Sequence, residues 1–217
     1  PVRSGANPTI HRVMSEQPTD TATARMNANS AWRFVEAFIR EPLLVGACWP
    51  SSPELARSVV AACDFQPGDT VAELGPGTGS FTELLLERLH GRGRLLAVEL
   101  SETNIAELRR RFPHCETIHD SAENLPKHLN GKRARCVVSG LAWGNMLPAM
   151  QDRIFNAMLE SLTPNGQFVA FAYVHARFFP TTLRFRKLMF RNFRRVELTP
   201  IIWRNLPPAY VYRCWRK

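Results

Sequence analysis

The sequence predicts an α/β fold: a seven-stranded, mostly parallel sheet with helices on both faces and a C-terminal antiparallel strand pair. Three observations carry this. Short apolar runs alternate along the chain with segments of helical periodicity, the pattern of strand–helix–strand units. The stretch Val71-Ala72-Glu73-Leu74-Gly75-Pro76-Gly77-Thr78-Gly79-Ser80-Phe81 runs an apolar strand into three glycines at alternate positions. Near the end, residues 194–199 and 209–215 read as strands with no helical pattern between them, the second alternating Tyr210, Tyr212 and Cys214 with Val211 and Arg213.

In order, residues 1–29 are rich in Thr, Ala, Ser, Asn and Pro and read as a disordered tail. Residues 30–217 form one domain. Over 30–42, Trp32, Val35, Phe38 and Ile39 recur at helical spacing among Arg33, Glu36 and Arg40, and Pro42 ends the pattern. This amphipathic helix suits either a membrane interface or a lid over the site. Ser52 is placed to cap a helix over 54–63, with Pro53 at its first position. After the first strand, Ser80 or Thr82 is placed to cap a helix reaching about His90. The run Leu95-Leu96-Ala97-Val98 is the second strand, ending at Glu99; Ser101 then caps a helix that Pro113 closes. A third strand ends at His119 and a fourth spans 135–138. A helix over 149–162, a turn over 163–166, a fifth strand over 167–174 and a basic, Phe-rich helix over 178–190 complete the set.

Composition narrows the class. The chain is 45% hydrophobic, with no apolar run near the roughly eighteen residues of a membrane span. Its opening lacks the apolar core of a signal peptide, and its five cysteines include no C-x-x-C pair, so the expectation is a cytoplasmic protein with free thiols. The histidines lack metal-ligand spacing, so no metal is expected. Of the net charge of +9, residues 176–217 supply +10, from eleven Lys and Arg against Glu197 alone. That basic end is a footprint for phosphates on lipid or nucleic acid, or else a solvated face.

The glycine loop and the helix behind it make an anion site open to a ligand's approach. Its spacing differs from the G-x-G-x-x-G of dinucleotide enzymes, because the third glycine comes one position early. Glu73 at the loop mouth would repel a pyrophosphate and welcome a cation. Glu99, twenty residues past the last glycine, stands where an acid bonds ribose hydroxyls. Asp120, after the third strand, has the type and place to accept an adenine amino group, although an N-cap role suits it equally. Together these residues point to S-adenosylmethionine, the cofactor of Rossmann-like class I methyltransferases.

The residues also carry a resemblance over about 30–217. Trp49-Pro50-Ser51-Ser52-Pro53-Glu54-Leu55-Ala56, the glycine loop, Ser139-Gly140-Leu141, Phe171-Ala172-Tyr173 and Asn205-Leu206-Pro207-Pro208-Ala209 resemble the bacterial phospholipid N-methyltransferases. The resemblance implies methylation of phosphatidylethanolamine towards phosphatidylcholine at the inner membrane, by a peripheral enzyme meeting an anionic lipid surface. With Glu73, Gly75, Gly77, Gly79, Glu99 and Asp120, it implies cofactor contacts at Ser51, Ser52, Leu100, Ser121, Ala122, Ser139 and Gly140. One departure is Ala142-Trp143-Gly144-Asn145, where that family often has prolines and aliphatic residues. The segment faces the acceptor, so Trp143 becomes a substrate contact and an ornithine lipid becomes an alternative head group.

In-line displacement by a neutral amine needs alignment, dryness and a proton acceptor. Tyr173, His175 and Ser139 are the expected catalytic residues: His175 as base by its pKa range, and Tyr173 as an aromatic face for an ammonium. Arg177, Arg204 and Arg213, with Tyr210 and Tyr212, are candidates for a lipid phosphate. The rival is an rRNA or DNA adenine N-methyltransferase. Such enzymes carry Asn or Asp-Pro-Pro-Tyr/Phe at the fourth strand's exit, to hold and stack a flipped base. Here that exit is Ser139-Gly140-Leu141, which argues against a nucleic-acid substrate. Nothing in the chain sets an oligomeric state.

Overall fold

A computed structural model describes residues 51–216; the expected tail over 1–29 and helix over 30–42 lie outside the described residues. The elements are α1 (Pro53–Ala62), β1 (Thr70–Leu74), α2 (Ser80–Leu89), β2 (Arg94–Glu99), α3 (Glu102–Arg111), β3 (Glu116–His119), α4 (Leu125–His128), β4 (Ala134–Ser139), α5 (Pro148–Ser161), β5 (Leu162–Tyr173), α6 (Pro180–Asn192), β6 (Arg195–Leu198) and β7 (Ala209–Trp215). The seven strands lie in the order β3-β2-β1-β4-β5-β7-β6. Strands β1 to β5 pair in parallel, while β7 runs antiparallel to both β5 and β6.

Strand alternation divides the core into two layers. On one face Ala72, Leu74, Val98, Val137, Phe168 and Ala170 meet α5 and α6 through Phe155, Met158, Phe185 and Met189. On the other, Val71, Leu95, Ala97, Val138, Val169 and Val211 meet α1 and α2 through Leu55, Val59, Phe81 and Leu85. Trp143, buried in the first layer, stacks on Phe185 at 4.4 Å and meets Phe155 and Phe168 edge-on. Such pairs each add about 0.5–1.5 kcal/mol beyond area burial. Buried Gln167 ties the layers, accepting from the Asp64 amide at 2.6 Å and donating to the Ala62 carbonyl at 3.0 Å.

Two local expectations are corrected. Neither Ser80 nor Thr82 caps α2: Gly79 does, at φ 91° and without a side-chain bond, while the Thr82 hydroxyl donates to Glu73 instead. The expected turn over 163–166 lies inside β5. Ala134 pairs with Leu162 and Cys136 with Gln167, so two steps along β4 face five along β5, and the extra residues bulge out. Elsewhere Ser52 and Ser101 cap α1 and α3 as read from the sequence. The four described cysteines are free and buried. No described helix is long and apolar enough to cross a membrane, and no described cluster of His, Cys, Asp or Glu suits a metal ion.

Phe168 is fully buried where β5 meets α5 and α6. Phe168→Ala should cost about 3–5 kcal/mol, measured as a lower urea midpoint at unchanged m-value; a smaller loss would mean the aromatic layer refills the void.

Candidate functional site

The sheet order reverses between β1 and β4, so a cleft opens at their carboxyl ends. On one side lies the loop after β1. Gly75, Gly77 and Gly79 all have positive φ, a region open to glycine at little cost. Two of them also permit close packing: a Cβ on Gly75 would stand 2.4 Å from Leu141, and one on Gly79 2.4 Å from Phe112. Above Gly77 there is open space, with nothing within 4 Å of a Cβ. Glu99 reaches across from β2. Its carboxylate accepts from the Gly77 amide at 3.0 Å and from the Leu100 and Ser101 amides at 2.9 Å each. Leu100, beside it, is 69% exposed, a large apolar face turned to solvent at the cleft.

Glu73 lies beneath the loop and is fully buried. One carboxyl oxygen accepts from the Thr82 hydroxyl at 2.7 Å; the other, Oε1, has no hydrogen-bond partner. Burial is the main reason its pKa rises to about 8; the Thr82 bond opposes the shift and the nearby Glu99 charge adds to it. The carboxyl group is therefore largely neutral at neutral pH in this state, and its unbonded oxygen has a hydrogen-bonding capacity left over, to donate while protonated and to accept once ionised. Asp120, after β3, accepts from the Ser121 amide at 2.7 Å and Asn124 Nδ2 at 2.8 Å, and pairs with His128 Nε2 at 2.7 Å. Those bonds, Asn124 first, hold its pKa down to about 2. An adenine amino group would meet a carboxylate already bound on both oxygens. Ser121 and Ala122 follow it at the start of a 3-10 turn.

The loop after β4 forms the other wall. Its Gly140 amide donates to the Leu74 carbonyl at 2.8 Å, and a Cβ on Gly140 would sit 2.3 Å from the Gly75 carbonyl oxygen. Beyond it Ala142, Trp143, Gly144 and Asn145 join Phe171, Tyr173, His175, Ala176, Thr182 and Phe185 around a small, open-mouthed pocket of about 20 Å³. Tyr173 and His175 stack at 5.6 Å, so the structure brings these two expected residues together. Burial raises the Tyr173 pKa and lowers that of His175, whose ring keeps an exposed edge. At neutral pH the phenol stays protonated and the imidazole mostly neutral. None of the pocket's residues carries a carboxylate.

Other expected residues stand elsewhere. Ser139 is buried, its hydroxyl accepting from Trp143 Nε1 at 2.9 Å and the Leu141 amide at 3.3 Å, so it shapes the loop and does not line the pocket. Trp143 lines the pocket while most of its ring packs in the aromatic layer against Phe185. Tyr212 is 1% exposed and bonded to the Tyr210 hydroxyl at 3.2 Å, out of reach of a phosphate. Arg213, level with Val169 midway along β5, donates to the Ala62 carbonyl and pairs with Glu197. Their height explains both corrections: Tyr212 and Arg213 pair with Ala170 and Val169, three and four residues short of the carboxyl end of β5. Arg177 and Arg204 are exposed, Arg177 over the Phe178 ring at 4.4 Å. The Ser52 hydroxyl caps α1, and its amide donates to Asn205 Oδ1 at 3.1 Å. The late Asn-x-Pro-Pro stretch thus pins the start of α1, through an Asn205 that also bonds the Pro207 carbonyl. Ser51 precedes that joint.

The sequence reading missed Gln151, Thr181 and Thr182. Gln151 is fully buried; its amide donates to the Trp143 carbonyl at 2.6 Å and the Thr181 carbonyl at 3.1 Å. The Thr181 hydroxyl donates to the Gly144 carbonyl. These bonds tie the loop after β4 to the start of α6. The available signal was a glutamine on the apolar stripe of α5, facing Ile154, Phe155 and Met158.

Comparison with known proteins agrees with this geometry. Residues 71–166 match the family described as a methyltransferase domain. An ornithine lipid N-methyltransferase of Singulisphaera acidiphila is 27% identical over 83% of this chain and 93% of its own length. A ribosomal RNA small subunit methyltransferase A of Aromatoleum aromaticum is 42% identical, but the match covers 32% of this chain and 26% of that protein. Among solved structures, a putative rRNA methylase of Clostridium thermocellum aligns with TM-score 0.58 at 19% identity, covering 76% of this chain and 94% of its own. A putative methyltransferase of Streptococcus mutans, solved with SAH, aligns with TM-score 0.56 at 19% identity over 77% and 99%. The fold, the glycine loop and these likenesses make residues 71–166 similar to an S-adenosylmethionine-dependent methyltransferase domain. The residues fit that cofactor: an uncapped helix start, open space over Gly77, and a vacant oxygen on Glu73.

The raised Glu73 pKa has a sign. The folded state binds the proton more tightly than the unfolded chain, so stability is full below about pH 4.5 and falls until about pH 8. Glu73→Gln should remove that fall. Thermal melts of the two proteins should diverge with rising pH, the variant ahead by a few kcal/mol at pH 9; parallel curves would mean Glu73 ionises freely.

Proposed function

We propose that the protein N-methylates the head-group amine of a membrane aminolipid, drawing the methyl from S-adenosylmethionine. One observation carries this reading. Nearly all the large apolar side chains exposed among the described residues ring the carboxyl end of the sheet, where the pocket opens. Leu147 (74%) follows β4, Phe178 (69%) and Leu183 follow β5, and Trp203 (71%) and Leu206 stand in the loop before β7, whose first residue pairs with Tyr173. An apolar rim around a polar-mouthed pocket suits a substrate taken from a lipid surface. Basic residues accompany it: Arg177 and Arg204 at the rim, and Arg186, Lys187 and Arg191 exposed along α6. An anionic membrane is their natural counterpart, which makes the enzyme peripheral to the inner membrane.

The residues divide the work. Glu99, Leu100, the glycine loop and Glu73 would hold the cofactor, which supplies an electrophilic methyl on a sulfonium. His175, neutral by partial burial, is the candidate to take the amine's proton. Tyr173 offers an aromatic face to the head group. The carboxylate-free pocket disfavours a retained ammonium charge, so the amine enters as the nucleophilic neutral form. Arg177 and Arg204 stand where they would meet the lipid's own anion. The relative spanning most of its length with this chain makes an ornithine lipid the first head group to try. Phosphatidylethanolamine, on the way to phosphatidylcholine, is the second. The nucleobase reading rests on sequence likenesses that span 22% to 41% of the length of the curated rRNA enzymes.

Labelled S-adenosylmethionine incubated with the protein should mark the amine of ornithine-lipid or phosphatidylethanolamine vesicles and leave RNA unlabelled. Label in RNA alone would reverse the assignment. Reversing the charges of Arg186, Lys187 and Arg191 should weaken sedimentation with anionic vesicles at low salt and matter little at high salt. Phe178→Glu with Trp203→Glu should weaken it at both; unchanged sedimentation of both variants would remove the membrane from the account.

A further inference from the structure

Thr182 is the second residue of this chain whose buried oxygen stands idle beside the cleft. The residue is 3% exposed, it lines the pocket, and its Oγ1 has no hydrogen-bond partner. Nearby polar groups are all committed: Gln151 to the carbonyls of Trp143 and Thr181, Thr181 to the Gly144 carbonyl, Ser139 to the Trp143 indole. Leaving one buried hydroxyl over when its neighbours are satisfied is a cost to folding. Glycine guards the space in front. A Cβ built on Gly144, itself a pocket residue, would stand 2.6 Å from Thr182 Oγ1. Gly144 has no unusual backbone conformation to account for it, so clearance of that hydroxyl is the physical reason on view.

We infer that Thr182 Oγ1 accepts a hydrogen bond from an N–H of the acceptor amine and so aims the nitrogen lone pair across the cleft. The inference rests on the aminolipid reading for the identity of the amine. The chemistry suits the pocket, since a hydroxyl accepts from a neutral amine without favouring its ammonium form as a carboxylate would, and the pocket contains no carboxylate. It also sets a limit. A primary or secondary amine has an N–H to give, whereas a tertiary amine has none. Thr182 therefore assists the first and second methyl transfers and is without effect on the third.

Thr182→Val keeps the shape and removes the hydroxyl; Thr182→Ser keeps the hydroxyl. An idle buried hydroxyl is replaced at no loss, so Thr182→Val should melt at or above the wild-type temperature. It should bind S-adenosylhomocysteine within twofold of wild type. On vesicles carrying the primary, monomethyl and dimethyl forms of the accepted head group, its kcat/KM should fall at least tenfold for the first two and stay within twofold for the third. Thr182→Ser should restore the primary-amine rate to within about threefold. An equal loss on all three amines, no loss on the primary amine, or a lower melting temperature that Thr182→Ser reverses would each overturn the inference. Wild-type protein inactive on every vesicle would instead overturn the aminolipid reading and take the inference with it; wild-type activity with Thr182→Val unchanged would remove the inference alone.

Discussion

The whole site depends on two loops meeting backbone to backbone. The Gly140 amide bonds the Leu74 carbonyl and the Gly75 amide bonds the Val98 carbonyl, so the last residues of β1 are held between β2 and the exit of β4. A single methyl at Gly140 would meet the Gly75 carbonyl oxygen at 2.3 Å, and one at Gly75 would meet the Leu141 side chain. No side chain fits between them. That closeness places the cofactor loop and the acceptor loop on opposite sides of one cleft, and pairing across β1 and β4, from Val71 with Cys136 to Leu74 with Ser139, fixes their relative height.

Around this joint the polar groups fall into two classes. Gln167, Gln151 and Asn205 are buried and join segments far apart in sequence, while buried Ser139 bonds within its own loop. Glu73 Oε1 and Thr182 Oγ1 are buried with one capacity unused, and they stand on the two sides of the cleft. Thr163 Oγ1, the third such atom, lies in the β5 bulge at the opposite end of the sheet, where no cleft gives it a ligand. Folding alone favours bonding every buried polar atom, so atoms left open where substrate and cofactor meet are the expected signature of a site.

The fold was largely legible because its signals are local. The apolar runs, the Ser52 and Ser101 caps and the glycine loop each depend on a few adjacent residues, and the structure follows them to within a residue or two except at the start of β5, where the bulge adds five. That Glu73, the glycines and Glu99 come together was legible for the same reason: they lie within one strand–helix–strand unit. The acceptor side was not. Tyr212 and Arg213 have suitable chemistry, but they pair with Ala170 and Val169, below the carboxyl end of β5 where the pocket opens, and Tyr210 is buried against Tyr212. Trp143 both lines the pocket and stacks on Phe185, a contact with a residue far along the chain that its own sequence surroundings do not announce. Gln151 and Thr182 have ordinary sequence surroundings and acquire meaning only through contact with residues 142–145.

That asymmetry also explains how the likenesses are distributed. The family match ends at residue 166, whereas the pocket's far wall is built from Phe171 to Phe185. A loop that holds a common cofactor imposes one solution on many proteins, so it is shared with enzymes acting on RNA. The walls that choose an acceptor answer to that acceptor alone. Here they are aromatic and without carboxylates, and they open among exposed phenylalanine, leucine and tryptophan side chains. A flipped base offers a flat face to be clamped and a phosphate chain to be tracked. A lipid head group offers a small amine on a tether rooted in an apolar phase. On the proposed reading the narrow pocket inside an apolar rim suits the second geometry, with its far wall, Phe171 to Phe185, lying beyond the matched segment.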